Sequence, residues 1–148
     1  MTGVQELLTW KADFETGVAE IDEQHMILVH TLNEASLKLK DDAAIDSLEQ
    51  ITQDLLAYAL YHFDTEETLM QEYDYEEKDR EAALRHLDQH RRFSEKVVGV
   101  RDALKAGESI PPRELIAFLN DWLVTHILNT DKLLGAFIVA RRNGAAND

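Results

Sequence analysis

Five histidines and two carboxylates in this sequence recur at spacings that would turn them toward one interior. His62 and Glu66 are four residues apart, as are His86 and His90, so each pair projects from adjacent turns of one helix face. His25 and His126 fall on stripes otherwise occupied by Leu, Ile and Phe. A single histidine on an apolar face is ordinarily a core residue with one hydrogen-bond partner. Five on four converging stripes each need a partner or carry a desolvation cost of roughly a few kcal/mol, and a shared metal supplies that partner. His126 and Asp131 are five apart, which on a regular helix separates them by about 140°. Both reach the same interior only if the helix is locally widened, so a π-type bulge is predicted between them.

The chain contains no cysteine. That excludes a disulfide framework, a thiolate zinc site, a cysteine nucleophile and a cysteine-held iron–sulfur cluster. Imidazole and carboxylate without thiolate suit iron, manganese or zinc. Seven ligands are too many for one tetrahedral zinc and suit two ions sharing bridging carboxylates. Two six-coordinate ions offer about twelve positions. Five imidazoles, two bridging carboxylates and a bridging oxide or hydroxide leave one of them open.

The elements that must position these groups are helices. The chain has 148 residues, enough for one domain that buries roughly two thirds of its unfolded surface. Neither Gly nor Pro occurs between residues 18 and 98, which favours helix over turn-rich β structure. Apolar residues at three- and four-residue steps predict helices over 18–40 (inner face Ile21, His25, Leu28, Leu32, Leu39), 44–71 (Ile51, Leu55, Tyr58, His62, Glu66, Leu69), 79–106 (Ala83, His86, His90, Phe93, Val97, Val100, Leu104) and 112–141 (Leu115, Leu119, Trp122, His126, Leu133, Phe137). Gly107 suits the residue just past a helix end, and Pro111–Pro112 after Ser109 suits a helix start. Residues 1–17, with Trp10 and Phe14, read as an arm packed on the bundle, and 143–148 as a flexible tail. The expected architecture is an all-α, up-down-up-down four-helix bundle over 18–142.

A net charge of −14 repels phosphate backbones and anionic headgroups, which argues against nucleic acid or a membrane surface as partner. MTGVQELLTW lacks a basic segment followed by an apolar core, and the unbroken apolar stretch Leu133 to Ala140 is too short to span a bilayer. The protein reads as cytoplasmic and monomeric, and the acidic run Glu72 to Glu77 as solvated surface. His30, five residues past His25, is expected at the surface. Asp22 and Glu67 flank candidate ligands, where they would either orient imidazole N–H groups or simply face solvent.

At these residues the sequence resembles the hemerythrin family, in particular its single-domain bacteriohemerythrins. The resemblance runs from Trp10 to about Phe137 and rests on GVAEIDEQH ending at His25, HFDTEE from His62, HLDQH from His86 to His90, and HILNTD from His126 to Asp131. It implies an oxo- or hydroxo-bridged, non-haem di-iron centre that binds O2 reversibly. His86, His90 and His126 would bind one iron, His25 and His62 the other, and Glu66 and Asp131 would bridge them, with O2 on the two-histidine iron. By position, Leu28, Phe63, Trp122 and Leu123 would wall the O2 pocket, and an oxygen-using enzyme is a candidate recipient. The family often has Tyr-Pro before its third helix, whereas here Tyr75 precedes Glu76, and the Glu66 to His86 interval is longer by about a turn and a half.

Three other readings stand beside it. Ferritin-like oxidases or peroxidases take Glu-x-x-His motifs, but the residues three before each histidine here are Asp22, Ile27, Ala59, Ala83, Leu87 and Leu123. A sensor of O2, nitric oxide or iron would need an output partner. A metal-free bundle would leave Glu66 and Asp131 buried without cations, which is costly. Removal of the metal should then destabilise the fold.

Overall fold

The computed structural model describes residues 9–38, 45–108 and 110–147. Helix α1 spans Ala19–Lys38, α2 Ile45–Glu72, the single turn α3 Tyr75–Lys78, α4 Arg80–Lys105 and α5 Pro112–Thr125; a π-helical turn, His126–Asp131, joins α5 to α6, Lys132–Asn147. α1 packs on α2, α2 on α4, and α5 returns to α1, which closes an up-down-up-down four-helix bundle. Leu39 and Ala44, expected at the ends of the first two helices, and Ser109, expected before the fourth, lie outside the described residues.

Local chemistry sets the helix ends. Asp79 caps α4 by accepting from the Ala82 N–H at 3.2 Å. At the far end Gly107, with φ +85°, donates to Leu104 O and Glu108 to Ala103 O, both at 3.0 Å, which satisfies two orphan carbonyls. At the start of α1 the Asp22 carboxylate accepts from Thr16 N and Thr16 Oγ1, both at 2.8 Å, and from Gly17 N at 3.3 Å. Asp22 therefore holds the arm in place and orients no imidazole, a correction to one of its two expected roles. The described arm, residues 9–17, makes one 3-10 turn, and Phe14 is buried with Trp10 edge-on at 5.4 Å.

The core falls into two apolar clusters, one including Leu28, Phe63, Phe93, Leu123 and Ile127, the other Ile21, Leu69, Ala83, Leu134 and Ile138. On every helix the candidate ligands lie between a residue of one cluster and a residue of the other. The polar groups thus form one layer across a dry bundle.

The π turn has consequences downstream. It inserts one residue into the helical count, and the Asn129 amide donates to Thr125 O at 3.0 Å, taking up a carbonyl in the widened segment. Continuing the regular stripe predicts Leu133 as an inner residue, but it is 57% exposed, while Leu134 and Ile138 are fully buried. The extra residue advances the inward face by one position. α6 also runs through the expected tail to Asn147, because Ala145 and Ala146 favour helix and Gly144 alone does not stop it. Gly135 faces the arm: a Cβ there would lie 2.6 Å from both Thr16 Cβ and Thr16 O, so only glycine permits this approach.

The last helix runs 33 residues from Pro112 to Gly144 and contains an 18-residue window of mean hydropathy 1.3, long and apolar enough to cross a membrane by composition. This exceeds what the octet Leu133 to Ala140 suggests. Its apolar side chains Leu115, Leu119, Leu123, Ile127, Leu134 and Ile138 are buried in the bundle, as in a core helix of a globular protein.

Leu134→Ala should lower the free energy of unfolding by about 2–5 kcal/mol, whereas Leu133→Ala should stay within about 0.5 kcal/mol. Chemical denaturation of the two variants checks the shifted register; equal effects would refute it.

Candidate metal centre

His25 lies on α1, His62 and Glu66 on α2, His86 and His90 on α4, and His126 and Asp131 at the two ends of the π turn; none of the seven is more than 3% exposed. Two groups result. Glu66, His86, His90, His126 and Asp131 present ligand atoms within 4.8 Å of one another, and so do His25, His62, Glu66 and Asp131. Both carboxylates belong to both groups, so three histidines lie on one side of the pair and two on the other.

The contacts are short. His25 Nε2 lies 2.7 Å from Asp131 Oδ2, and His86 and His126 Nε2 lie 3.1 and 2.9 Å from Asp131 Oδ1. His90 Nε2 is 3.0 Å from Glu66 Oε1, and His62 and His86 Nε2 are each 3.4 Å from it. Yet His25 Nε2, His62 Nε2, His126 Nε2, Glu66 Oε2 and both Asp131 oxygens have no hydrogen-bond partner among the described residues. They approach one another off the hydrogen-bonding directions, aimed at shared points between them. Buried polar atoms in that state are costly unless a cation occupies those points. The donor set, five nitrogens and two carboxylates, fits a pair of iron, manganese or zinc ions.

Three imidazoles are oriented through the opposite ring nitrogen. His62 Nδ1–H donates to Gln24 Oε1 at 2.7 Å, and the Gln24 amide is turned that way because its Nε2 donates to Thr65 Oγ1 at 3.0 Å. His126 Nδ1–H donates to Gln89 Oε1 at 2.8 Å, which also accepts from Thr130 Oγ1 at 2.7 Å. His90 Nδ1–H donates to Glu67 Oε2 at 3.0 Å, one of the two roles open to Glu67 from sequence. With Nδ1 protonated, each Nε2 lone pair faces the interior. Gln24 and Gln89 escaped the sequence reading. Their signal was nonetheless there: each immediately precedes a candidate ligand, in EQH and in DQH.

Charge at the centre is strongly perturbed. Burial pushes His62 down to about 4 against the pull of Glu66. Burial works the same way on His126, but Asp131 beside it lifts it to about 10. His86 is raised too, the contacts with Asp131 and Glu66 outweighing burial. Burial would raise Glu66 and Asp131; the charge of His62 and contacts with three histidines hold the former well below the usual carboxylate range, and His126 does the same for the latter. Without metal, protons on the imidazoles balance the two anions.

Leu28, Phe63, Trp122 and Leu123, the expected pocket wall, do line one cavity, together with His62 and His126. Its room of about 20 Å³ admits one water-sized molecule. The cavity also reaches Leu32, Leu55 and Leu119, beyond the expected residues. Phe63 stacks on His90 at 3.9 Å and Trp122 on His126 at 4.4 Å. His30 lies at the surface, 3.7 Å from Glu34. The acidic connection departs from expectation at one point: Glu76 and Glu77 are exposed, but Tyr75 is 2% exposed and packs 4.9 Å from Phe137. Its aromatic body anchors α3 while the charges stay in water.

Because metal must displace the proton on His126, uptake at pH 7 should release at least one proton. Affinity should therefore rise with pH, by about tenfold per unit for each proton released, until the pH passes the pKa near 10. Calorimetric titration of metal-free protein in buffers of different ionisation enthalpy measures this; heats independent of buffer would contradict it.

Comparison with known proteins agrees with this geometry. The hemerythrin HHE cation binding domain matches residues 16–138. A bacteriohemerythrin of Methylococcus capsulatus is 34% identical over 142 residues, covering 90% of this chain and 98% of that protein. One from Pseudomonas aeruginosa is 34% identical over 126 residues, 84% of this chain and 76% of its own length. A crystal structure of wild-type hemerythrin matches with a TM-score of 0.76 at 29% identity, covering 90% of this chain and 98% of that one. The domain match spans every residue of the buried cluster, from His25 to Asp131, and the chain belongs to the hemerythrin family.

Proposed function

We propose that this protein binds O2 reversibly, as a carrier or store, at a non-haem di-iron centre held by His25, His62, Glu66, His86, His90, His126 and Asp131. The observation that carries the proposal is the junction of two features: two buried donor groups that share Glu66 and Asp131, and an apolar cavity with room for a water-sized molecule that borders them at His62 and His126. A bound iron pair would supply the two electrons that O2 takes up on binding and returns on release.

The chain's own residues supply the rest. Glu66 and Asp131 are shared between the two donor groups, so they suit the role of bridges and offset cationic charge in a dry interior. Three histidines on one side and two on the other would leave the two-histidine side less crowded; the cavity borders both sides, at His62 and at His126. Leu28, Phe63 and Leu123 keep water from the cavity, which protects a reversible reaction from proton-driven loss of oxygen. Gln24, Gln89 and Glu67 hold their imidazoles in one tautomer, and the stacked rings of Phe63 and Trp122 limit imidazole tilt. Histidine-rich ligation, with two carboxylates, also sets this centre apart from the glutamate-rich sites of ferritin-like oxidases, in support of a binding protein over an enzyme. A net charge of −14 suits a freely dissolved cytoplasmic carrier.

Metal analysis of aerobically purified protein should find about two irons per chain, with visible absorption that disappears on deoxygenation and returns in air; stoichiometric zinc without colour would sink the proposal. Leu123→Ala enlarges the cavity wall and should admit water, so the O2-bound form should decay to the oxidised protein at least several-fold faster. An unchanged lifetime would remove Leu123 from the wall that excludes water.

A further inference from the structure

The three imidazoles held through Nδ1 do not have acceptors of equal charge. Gln24 and Gln89 offer neutral amide oxygens to His62 and His126, but Glu67 offers His90 a carboxylate. Its setting differs as well. The Glu67 side chain is 39% exposed, and it lies with His90 on an open cleft of about 350 Å³ lined by Leu60, Asp64, Leu87, Arg91 and Ser94. Arg91, the cation of that cleft, is engaged by Asp88 and by Glu95 at 3.7 Å. The negative charge of Glu67 is thus directed at His90.

A carboxylate that accepts Nδ1–H draws that proton toward itself and leaves more electron density on Nε2 than an amide oxygen does. The ring becomes a more basic ligand. A more basic ligand binds a cation more tightly and favours the state of higher positive charge. We propose that Glu67 is a positioning residue whose negative charge, beyond its hydrogen bond, strengthens His90 as a ligand and biases the centre toward its oxidised state. The redox half of this inference rests on the di-iron reading above; the affinity half holds for any divalent ion in the same site. A purely structural Glu67, tying α2 to α4 through His90, would be replaced without loss by glutamine, which keeps an oxygen acceptor.

That difference defines the experiment. Iron-loaded Glu67→Gln should keep about two irons per chain, show a reduction potential shifted upward, and pass from the reduced to the oxidised form several-fold more slowly. Gln89→Glu, which places a carboxylate on His126 Nδ1–H instead, should shift the potential downward and speed that oxidation. Chelator competition for Zn²⁺ on metal-free protein reads the same charge without redox chemistry: Glu67→Gln should bind about tenfold more weakly, and Gln89→Glu more tightly. Wild-type potential and wild-type zinc affinity in Glu67→Gln would overturn the inference. If Glu67→Gln does not fold, Gln89→Glu decides alone, and no change in either measurement overturns it. A zinc effect of the expected sign in a protein that retains no iron would support the charge-based role of Glu67 while removing the oxygen-binding function.

Discussion

Two carboxylates at zero exposure, Glu66 and Asp131, set the central constraint on this bundle. An anion taken out of water is tolerated only when positive charge and directed donors replace its hydration. Here five imidazoles surround the pair, yet their Nε2 atoms lie mostly off the hydrogen-bonding directions of the carboxylate oxygens. Protons can balance the charge, as the raised His126 and His86 indicate, but they do not satisfy that geometry. Cations placed between the donors do both. Buried donors left unsatisfied cost stability, and cations held between them would recover it.

The rest of the architecture follows from keeping this polar layer dry and its members aimed. Two apolar clusters sandwich it, and aromatic rings cover His90 and His126. The π turn at His126–Asp131 brings an imidazole and a carboxylate five residues apart to the same interior. Its cost in backbone bonding is offset by Asn129, and its one-residue advance moves burial from Leu133 to Leu134. That advance also turns Gly135 toward Thr16, so the arm closes against a backbone with no side chain in the way. A feature that brings His126 and Asp131 to one interior thus reaches the packing of the N-terminal arm.

Much of this was legible in the residues. The Gly- and Pro-free run from 18 to 98, the three-and-four periodicity, Gly107 and Pro112 placed the long helices within one or two residues of their described ends, except that the last runs six residues further and the single turn α3 gave no signal. The five-residue interval between His126 and Asp131 conflicted with a regular helix, and the conflict was itself the signal for the π turn. Other features were not legible. Asp22 and Glu67 occupy similar positions beside a candidate ligand, yet Asp22 turns back to Thr16 and Gly17 while Glu67 reaches His90. Leu133 broke the extrapolated stripe because a stripe drawn through a π turn needs a correction that periodicity alone does not supply. Tyr75, inside an acidic run, goes to the core because an aromatic body can bury where its neighbours cannot.

The division has a physical reason. Residue types and spacing along one helix are local, and they determined the elements, the face each presents and the donor chemistry available: nitrogen and oxygen without sulfur. What lies across the bundle depends on how the helices rotate and slide against one another. Only the tertiary structure decided that Gln24 and Gln89 cross to His62 and His126 on other helices, and that His90 alone among the three Nδ1-held imidazoles is held by a carboxylate. Those hydrogen-bonded pairs join residues 23 to 38 positions apart, set by packing of side chains that have no contact until the chain has folded.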